Sequence, residues 1–300
     1  MKSVRFSRFG GSEVLEIVDL PAPHAGPGRI RIAVRAAGVN ASDRKKRAGL
    51  MDQELPQLLG HEAAGVVDEV GAGVTGVSVG DRVLGLSETA GVQAESAVLS
   101  HWAPLPASAG FAAAAALPSA AETAARGLDR LGVASGTLVL INGASGSVCS
   151  VAVQLAVARG AGVIGTAGPA GHAYVRSLGA EPVAYGDTLG PAVRALAPGG
   201  VDRALDVAGH GALPGLIELS GGPGHVVTLA DFTGAQQHGV AFSRGDDGRA
   251  LYVLGELGAL VESGRLALPR VHAFPLDRVA EAHRLGESGR AAGKIVLVDG

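Results

Sequence analysis

Cysteine is almost absent from this sequence, in which Cys149 is the single example. One cysteine excludes an internal disulfide and any zinc site built from several cysteines. Aromatic residues are scarce as well, at 3%. The interior of a chain that is 47% hydrophobic must therefore be built from Ala, Val and Leu.

Long apolar runs and a strong charge bias are also missing. No uncharged run approaches the length of a membrane span, and no apolar leader follows Met1. The formal charge of −3 gives no electrostatic footprint for nucleic acid or for an anionic membrane. We therefore expect a soluble cytoplasmic protein, with neither a nucleic acid nor a membrane as its partner.

The length of 300 residues suggests two domains, because one hydrophobic core rarely grows past about 250–300 residues. Residues 1–108 alternate short β-like stretches with turns, which predicts a small β-barrel-like domain. Residues 111–131 are predicted to be helical and broken at Pro118. The last segment, with a strand at 294–298, is similar to the first region and is expected to fold back onto it.

From residue 137 the pattern changes to alternating strands and helices, which is typical of a parallel, doubly wound sheet. Strands are predicted at 137–141, 162–166, 182–185, 202–207 and 225–229. Helices are predicted at 147–158, 172–178, 189–196 and 212–219. The predicted domain limits are 1–113, completed by 265–300, for the first domain and 114–264 for the second.

A glycine turn joins the first of these strands to the first helix. Gly143 and Gly146 allow a sharp turn with no Cβ in the way of a ligand. The helix start that follows offers unpaired N–H groups and the positive end of its dipole, which suits a pyrophosphate. A third glycine is usual in such turns, and Cys149 occupies its place here. We expect its side chain to push the helix start outward or to occupy space beside the pyrophosphate.

Several blocks in order resemble the medium-chain dehydrogenase/reductase superfamily, in its zinc-independent quinone oxidoreductase-like branch. The blocks are Ala37–Asp43, Gly60–Val67, Val79–Val83, Ala114–Pro118, Gly143–Gln154, Leu178–Ala180 and Gly293–Leu297. The resemblance implies a GroES-like β-barrel domain and a Rossmann domain, with nicotinamide and substrate meeting in a cleft. It also implies a homodimer, and hydride transfer from NADPH to a quinone, an enone or another conjugated carbonyl compound.

The same resemblance assigns catalytic roles to Asn40, Thr123 and Lys45. Asn40 would lie beside the nicotinamide and donate to a carbonyl oxygen, and the alternative is that it caps the Ser42–Arg47 turn. Thr123 would bond the same oxygen, or it is a hydroxyl on a helix surface. Lys45 stands where relatives have Tyr or Lys, within a cationic run that is either a solvated turn or a clamp for an anionic substrate. Glu122 is a further candidate acid.

Residues assigned to the cofactor lie in the glycine turn, in the second Rossmann strand and after it, and in the last block. They are Gly143, Ala144, Ser145, Gly146, Ser147, Val148, Thr166, Gly168, His172, Tyr185 and Lys294. No Asp or Glu follows the strand that ends at Thr166, and this absence favours NADP over NAD. The relatives' serine and arginine clamp for the 2′-phosphate is missing, which leaves His172, Arg176 and Tyr185 as its partners.

No metal is expected. The stretch Gly60-His61-Glu62 resembles the zinc-liganding stretch of alcohol dehydrogenases, but Asn40 stands where those relatives have a cysteine. One His and one Glu are too few for a tetrahedral site with three protein ligands. An alternative function stays open because of Cys149 and the missing clamp: a divergent member that acts as a non-redox catalyst or a small-molecule-binding protein.

Overall fold

The computed structural model describes residues 1–245, 248–289, 291 and 293–299. The chain divides into two compact units. The first unit holds residues Met1–Ser119, Leu254–Glu262 and Leu268–Gly300, and the second holds Ala120–Val253 and Ser263–Ala267.

The strands, in chain order, are β1 (Lys2–Phe6), β2 (Leu15–Asp19), β3 (Ile30–Val39), β4 (Gln57–Leu58), β5 (Glu62–Val70), β6 (Arg82–Leu86), β7 (Ser96–Leu99), β8 (His101–Pro104), β9 (Leu138–Asn142), β10 (Gly162–Thr166), β11 (Glu181–Val183), β12 (Arg203–Asp206), β13 (Val226–Thr228), β14 (Ala241–Phe242), β15 (Val271–Pro275) and β16 (Lys294–Val298). The helices are α1 (Ala41–Arg47), α2 (Phe111–Ala114), α3 (Pro118–Arg130), α4 (Ser147–Ala158), α5 (His172–Ser177), α6 (Leu189–Leu196), α7 (Leu213–Ser220), α8 (Phe232–His238), α9 (Val253–Glu262) and α10 (Val279–Glu287). Short 3₁₀ turns lie at Ser12–Val14, Pro169–Gly171, Pro223–His225 and Leu276–Arg278.

The first unit is built from two β-sheets. One has the order β2-β1-β4, and the other has the order β15-β16-β3-β5-β6-β8, with β7 also paired to β3. The long strand β3 is central because its alternating apolar residues, such as Ile30 and Ile32, are fully buried. The last strand, β16, runs antiparallel to β3, with Ile295 opposite Val39. The expected return of the C-terminal segment to the first region is thereby confirmed.

The second unit contains a parallel sheet with the strand order β11-β10-β9-β12-β13-β14. This is the 3-2-1-4-5-6 order of dinucleotide-binding sheets, and the predicted Rossmann-type sheet is confirmed. The predicted spans 162–166 and 147–158 coincide with β10 and α4. All six strands pair in parallel, so their carboxyl ends lie along one edge.

Two elements of the second unit are absent from the sequence prediction. Helix α8 holds a glycine and several polar residues, so it has no clear apolar periodicity. Its ends are nevertheless marked, because the Asp231 carboxylate accepts the N–H of Gly234 at 2.8 Å and Gly239 closes the helix at φ +68°. Strand β14 has two residues and is too short for a period-2 pattern.

The limits of the two units differ from the predicted domain limits. Residues 114–119 group with the first unit because α2 packs against β3, β5, β15 and β16. Leu254–Glu262 also groups there, and the Glu262 carboxylate accepts the N–H of Ala107 at 3.4 Å. Among the described residues, no helix is long and apolar enough to cross a membrane.

Helix α10 buries a histidine in the first unit. His283 is fully buried, and neither ring nitrogen has a hydrogen-bond partner in the described part of the chain. Burial, together with the positive charges of Arg47 and Arg44, lowers the pKa of His283 from 6.5 to about 3. The unfolded chain therefore binds a proton between these two pH values that the folded chain does not bind.

We expect acid to destabilise the first unit through His283. Stability should be lost as pH falls below 6.5 toward 3, with a contribution of up to about 1.4 kcal/mol per pH unit from this residue. His283→Leu should remove that contribution to the slope, and His24→Gln should not because His24 is exposed. Denaturant unfolding between pH 4 and pH 7 provides the measurement. Equal slopes for the wild type and His283→Leu would contradict the assignment.

Candidate functional site

The glycine turn lies between β9 and α4 in the second unit. Gly143 has φ +92°, and a Cβ there would lie 2.8 Å from the Cβ of Ala208. The position therefore requires glycine. Ala144 is buried and donates its N–H to the Thr166 carbonyl at 2.8 Å. Ser145 and Gly146 are exposed, so the outer side of the turn is open to a ligand.

Helix α4 begins beside this open side. Its N-cap is Gly146, and no side chain accepts a hydrogen bond at this end. The N–H groups of the first turn, at Ser147 and Val148, point out of the helix start, where the dipole is positive. A diphosphate fits this combination of free N–H donors and absent side chains. The described residues of the turn therefore suit a nicotinamide dinucleotide.

Cys149 lies beneath the turn and not on its open side. The thiol is 3% exposed, and Sγ donates to the Asn142 carbonyl at 3.7 Å. Burial, and to a lesser extent the charge of Asp206, raises the pKa of Cys149 to about 12, so the group stays a neutral thiol. Of the two expected effects, occupation of space beside the pyrophosphate is wrong, and an outward displacement of the helix start stays a prediction. The Cys149 side chain fills the interior between strand and helix as a small apolar group.

A row of buried side chains connects the ends of neighbouring strands under the turn. Thr166, 1% exposed at the end of β10, donates its hydroxyl to Asn142 Oδ1 at 2.7 Å. The same hydroxyl accepts the N–H of Gly143 at 2.8 Å. Thr166 therefore has almost no exposed surface to offer a cofactor, and its hydrogen bonds fix the turn.

The row continues to the next two strands through Asp206, which is fully buried at the end of β12. Its Oδ1 accepts Asn142 Nδ2 and the N–H of Gly209, both at 2.9 Å. Its Oδ2 accepts the Thr228 hydroxyl, at the end of β13, at 2.8 Å. We call Thr166, Asn142, Asp206 and Thr228 the strand-end row.

The loop after β10 holds the residues predicted to bind the 2′-phosphate. His172 is turned to the backbone, with Nε2 3.1 Å from the Ala167 carbonyl. Tyr185 is exposed and lies over Gly168, where a Cβ would be 3.4 Å from its hydroxyl. Arg176 forms an ion pair with Glu181 at 3.3 Å. Tyr185 is 65% exposed, and its hydroxyl makes no hydrogen bond to another described residue.

Thr123 lies on α3 in the second unit and is half-buried. Its neighbour Glu122 is 3% exposed and accepts Arg126 Nε at 2.9 Å and the N–H of Ala250 at 3.2 Å. The Glu122 carboxylate is thus tied to internal donors, which makes it a poor candidate for the cleft acid. The Thr123 hydroxyl lies 3.5 Å from the Glu122 carboxylate, a long hydrogen bond.

Asn40 and Lys294 come together in the first unit, with Glu62 between them. Lys294 Nζ donates to Asn40 Oδ1 at 2.6 Å and to Glu62 Oε1 at 2.5 Å. Asn40 Nδ2 donates to the same Glu62 oxygen at 2.8 Å. Lys294, predicted to contact the cofactor, is 3% exposed and shares its ammonium with the predicted substrate-side amide. We call Asn40, Glu62 and Lys294 the amide cluster.

Asn40 also precedes α1, as the capping alternative requires. The helix start is held by Asp43, whose Oδ2 accepts the Asn40 N–H at 2.8 Å. Burial raises the pKa of Asp43, opposed by the N–H donors of Asn40 and Gly60. The Asn40 side chain is meanwhile bonded to Glu62 and Lys294. The two roles coexist, because Asn40 and Asp43 form a capping box at the start of α1 and the Asn40 amide also belongs to the cluster.

The cationic run forms α1, where a turn was expected, and its four side chains differ. Lys45 is exposed. Lys46 Nζ lies 3.2 Å from His61 Nε2 and 3.0 Å from Asp52 Oδ2. Arg47 is buried and paired with Glu287, and Arg44 donates to the Gly286 carbonyl. Three of the four cations thus bind groups of the first unit itself, which argues against a clamp made by the whole run.

Sequence reasoning missed the strand-end row, Lys46 and the role of Glu62. A polar residue at the end of an apolar strand is a usable signal for such a row. This position is held by Asn142, Asp206 and Thr228 on their respective strands. Glu62 was considered only as a zinc ligand. Its pairing with Lys294 connects residues 232 positions apart and leaves no local pattern.

Comparison with known proteins places the chain among dehydrogenases. Residues 26–126 match the alcohol dehydrogenase GroES-like domain, and residues 178–297 match the zinc-binding dehydrogenase family. The predicted GroES-like domain is thereby confirmed. The chain is 33% identical to the chloroplastic NADPH-dependent alkenal/one oxidoreductase of Arabidopsis thaliana, over 99% of this chain and 79% of that protein. It is 30% identical to the quinone oxidoreductase of Lama guanicoe, over 99% and 97%.

The first relatives found are much longer than this chain. The spectinabilin polyketide synthase system protein NorB of Streptomyces orinoci is 36% identical over 98% of the chain, which spans 14% of its length. Among solved structures, the quinone oxidoreductase from Coxiella burnetii is 30% identical with a TM-score of 0.86, covering 99% of both chains. A mycobacterial protein complexed with NADPH is 26% identical with a TM-score of 0.84, covering 99% of this chain and 100% of that one.

We expect Asp206→Asn to weaken the second unit. The amide that replaces the carboxylate carries N–H groups at one of its two ends. In one orientation these groups face the Thr228 hydroxyl, and in the other they face Asn142 and Gly209. All three partners already donate, so a donor faces a donor in either orientation. The unfolding free energy should fall by about 1–3 kcal/mol. Asp202→Asn is the matched control, since the carboxylate of this exposed residue near the start of β12 accepts only the N–H of Leu138, at 2.8 Å, among the described residues. Its effect should stay within about 0.5 kcal/mol, and equal losses in denaturant unfolding would contradict the importance of the row.

Proposed function

Because the chain belongs to the medium-chain dehydrogenase/reductase superfamily, we propose that it is an NADPH-dependent reductase of a quinone or an α,β-unsaturated carbonyl compound. The observation that carries this proposal is the amide cluster. The Asn40 amide is a hydrogen-bond donor held in place by a buried ion pair. Such a donor would stabilise a substrate carbonyl oxygen that gains negative charge during the reaction. The names of the quinone and alkenal/one relatives support the same substrate class.

In this reaction the dinucleotide supplies the hydride, and the protein supplies position and polarity. Hydride addition to the β-carbon of an enone moves an electron pair toward the carbonyl oxygen. The free N–H of the Asn40 amide would donate to that oxygen, and its strength as a donor grows as the charge develops. The Lys294 ammonium, bonded to Asn40 Oδ1 and to Glu62 Oε1, offsets the negative charge of that carboxylate.

The preference for NADPH follows from the loop after β10. Thr166 is followed by Ala167 and Gly168, so no carboxylate repels a 2′-phosphate. The accessible Tyr185 hydroxyl is a donor for that phosphate. A hydrogen bond to a charged group contributes about 1.5–3 kcal/mol, and the arginine clamp is missing, so the preference over NADH should be modest.

The alternative function has lost part of its support. It rested on Cys149 and on the missing clamp, and Cys149 lies beneath the turn, where it leaves the outer side open.

The homodimer implied by the resemblance remains part of the proposal. Strand β14 is the edge of the parallel sheet at which a second copy could pair.

The direct test of this function is turnover of NADPH with a quinone and with an enone. Asn40→Ala should lower kcat by roughly 10²-fold, the low end for losing one such donor, while NADPH affinity hardly changes. The exposed amide Gln236, changed to Ala, serves as control. Stopped-flow absorbance follows the reduction step, and fluorescence titration measures NADPH and NADH binding.

Two results would contradict the proposal. If the protein did not bind NADPH at millimolar concentration, the hypothesis of an NADPH-dependent reductase would be rejected and the non-redox alternative would be favoured. An unchanged rate of reduction in Asn40→Ala would return Asn40 to a structural role.

We also propose that the reaction needs no zinc. His61, the residue that resembles a zinc ligand, has its Nε2 3.2 Å from the Lys46 ammonium and its Nδ1 3.4 Å from the Ser87 carbonyl. An ammonium only donates, so Nε2 accepts, and the lone pair that a metal would use is turned to Lys46. Within residues 1–245, 248–289, 291 and 293–299, no three His, Cys, Asp or Glu side chains are placed to hold a metal.

We expect the purified protein to contain much less than one zinc per chain and to keep its activity in chelator. Elemental analysis and NADPH turnover before and after EDTA treatment provide the measurement. Re-addition of zinc is the control for zinc that is lost from the protein during purification. One zinc per chain, with activity lost on removal and restored on re-addition, would overturn zinc independence.

A further inference from the structure

The amide cluster contains an ion pair that hydride transfer does not itself require. Glu62 is fully buried and Lys294 is 3% exposed, and their charged groups lie 2.5 Å apart. A buried ion pair seldom contributes much net stability, since removing both charges from water costs about as much as their attraction returns. The question is therefore what this pair does for Asn40, which it contacts through both of its members.

The pair distinguishes the two ends of the Asn40 amide. An ammonium can only donate, so Lys294 selects the amide oxygen, Oδ1. A carboxylate can only accept, so Glu62 selects the amide nitrogen, Nδ2. The reversed amide would place N–H against ammonium and oxygen against carboxylate. One orientation of Asn40 is therefore strongly favoured.

This orientation leaves one donor of the amide unused. Nδ2 carries two hydrogens, of which Glu62 accepts one. The other has no acceptor among the residues that the structure describes. It is the hydrogen that the proposed function assigns to the acceptor oxygen of the substrate.

Glu62 is in turn held by the main chain. Its second oxygen, Oε2, accepts the N–H of Ser119 in the first turn of α3 at 2.8 Å. At Gly38 a Cβ would come within 2.6 Å of the Glu62 carboxyl carbon, so the carboxyl group occupies space that any other residue would fill. The carboxylate thus sits between a backbone donor on one side and Asn40 with Lys294 on the other.

We propose that Glu62, paired with Lys294, is a positioning residue that fixes the Asn40 amide with one N–H free for the substrate oxygen. This inference rests on the proposed function. It adds that Glu62 acts on the reaction through Asn40 and not by touching the substrate. Lys294 balances the negative charge of Glu62, which would otherwise oppose charge development on the acceptor oxygen.

The test is a double-mutant cycle with Glu62→Gln and Asn40→Ala. Either orientation of the amide that Glu62→Gln introduces turns N–H toward a donor, which is Ser119 or the Asn40 and Lys294 pair. Glu62→Gln should lower kcat by roughly tenfold or more, up to the loss caused by removing the donor itself. In the Asn40→Ala background the same change should lower kcat by less than about twofold, because residues that act through one another are not additive.

Two further variants keep the test decisive. Glu95→Gln changes an exposed carboxylate of the first unit that accepts the N–H of Lys2, and it should leave kcat unchanged. If Glu62→Gln does not fold, as judged by circular dichroism, Glu62→Asp replaces it. The shorter side chain keeps the charge but withdraws the oxygens from Asn40, so the same lack of additivity is expected.

A second readout does not depend on turnover. In the NMR spectrum of ¹⁵N-labelled protein, the Asn40 side-chain hydrogen that Glu62 accepts should exchange with solvent at least tenfold more slowly than that of exposed Gln236. Glu62→Ala, which leaves no side-chain acceptor at this place, should remove most of this protection. Equal exchange in the wild type and Glu62→Ala would overturn the inference.

Kinetic outcomes separate the inference from the function on which it rests. Additive losses in an active enzyme, or an unchanged kcat in Glu62→Gln, would overturn the positioning role alone. A wild-type protein that binds NADPH poorly and reduces neither quinone nor enone would overturn the proposed function, and the role of Glu62 in that reaction with it.

Discussion

A buried carboxylate must receive its hydrogen bonds inside the protein, and the second unit is arranged around one such group. Asp206 collects donors from Asn142, Thr228 and the backbone of Gly209. Because Asn142 also accepts from Thr166, the ends of four adjacent parallel strands are joined in one hydrogen-bonded row. Leaving any member without its partner would cost the desolvation of a buried polar group. The edge of the sheet that carries the nucleotide loops is thereby held in one arrangement.

The glycine turn depends on this row for its shape. Its first N–H, at Gly143, is bound by the Thr166 hydroxyl, and the next, at Ala144, by the Thr166 carbonyl. These two bonds turn the inner side of the loop toward the sheet and leave Ser145 and Gly146 outside. Cys149 fits under the turn because its thiol is small and uncharged. A site with only two glycines can thus keep an open face for a diphosphate.

The same constraint produces the amide cluster in the first unit with different residues. There a carboxylate, an ammonium and an amide satisfy one another, and a main-chain N–H completes the set. Apart from the one unused hydrogen of the Asn40 amide, these groups favour one geometry, because the reversed amide leaves a donor facing a donor and an acceptor facing an acceptor. A mobile surface asparagine could not offer its N–H in a fixed direction. Under the proposed function, the cluster supplies that direction.

The sequence by itself determined the fold of both units and the place of the glycine turn. Apolar strands of five residues, helices with regular spacing and turn glycines are local signals, and β10, α4 and β16 have the limits that those signals predicted. Blocks that resemble a known family also made Asn40 and Lys294 candidate site residues. Short elements with little apolar periodicity, such as α8 and β14, carried too weak a signal.

Only the tertiary structure decided how the identified side chains are used. Thr166 and Cys149 face the interior, although their positions in the sequence suggested contact with the cofactor. Lys46, and not its neighbour Lys45, meets His61, because successive residues of a helix point in different directions. Lys294 reaches Asn40 and Glu62 across more than 230 positions of the chain. The partners of a buried polar group are set by which strands and helices pack together, and that information is absent from any local stretch of sequence.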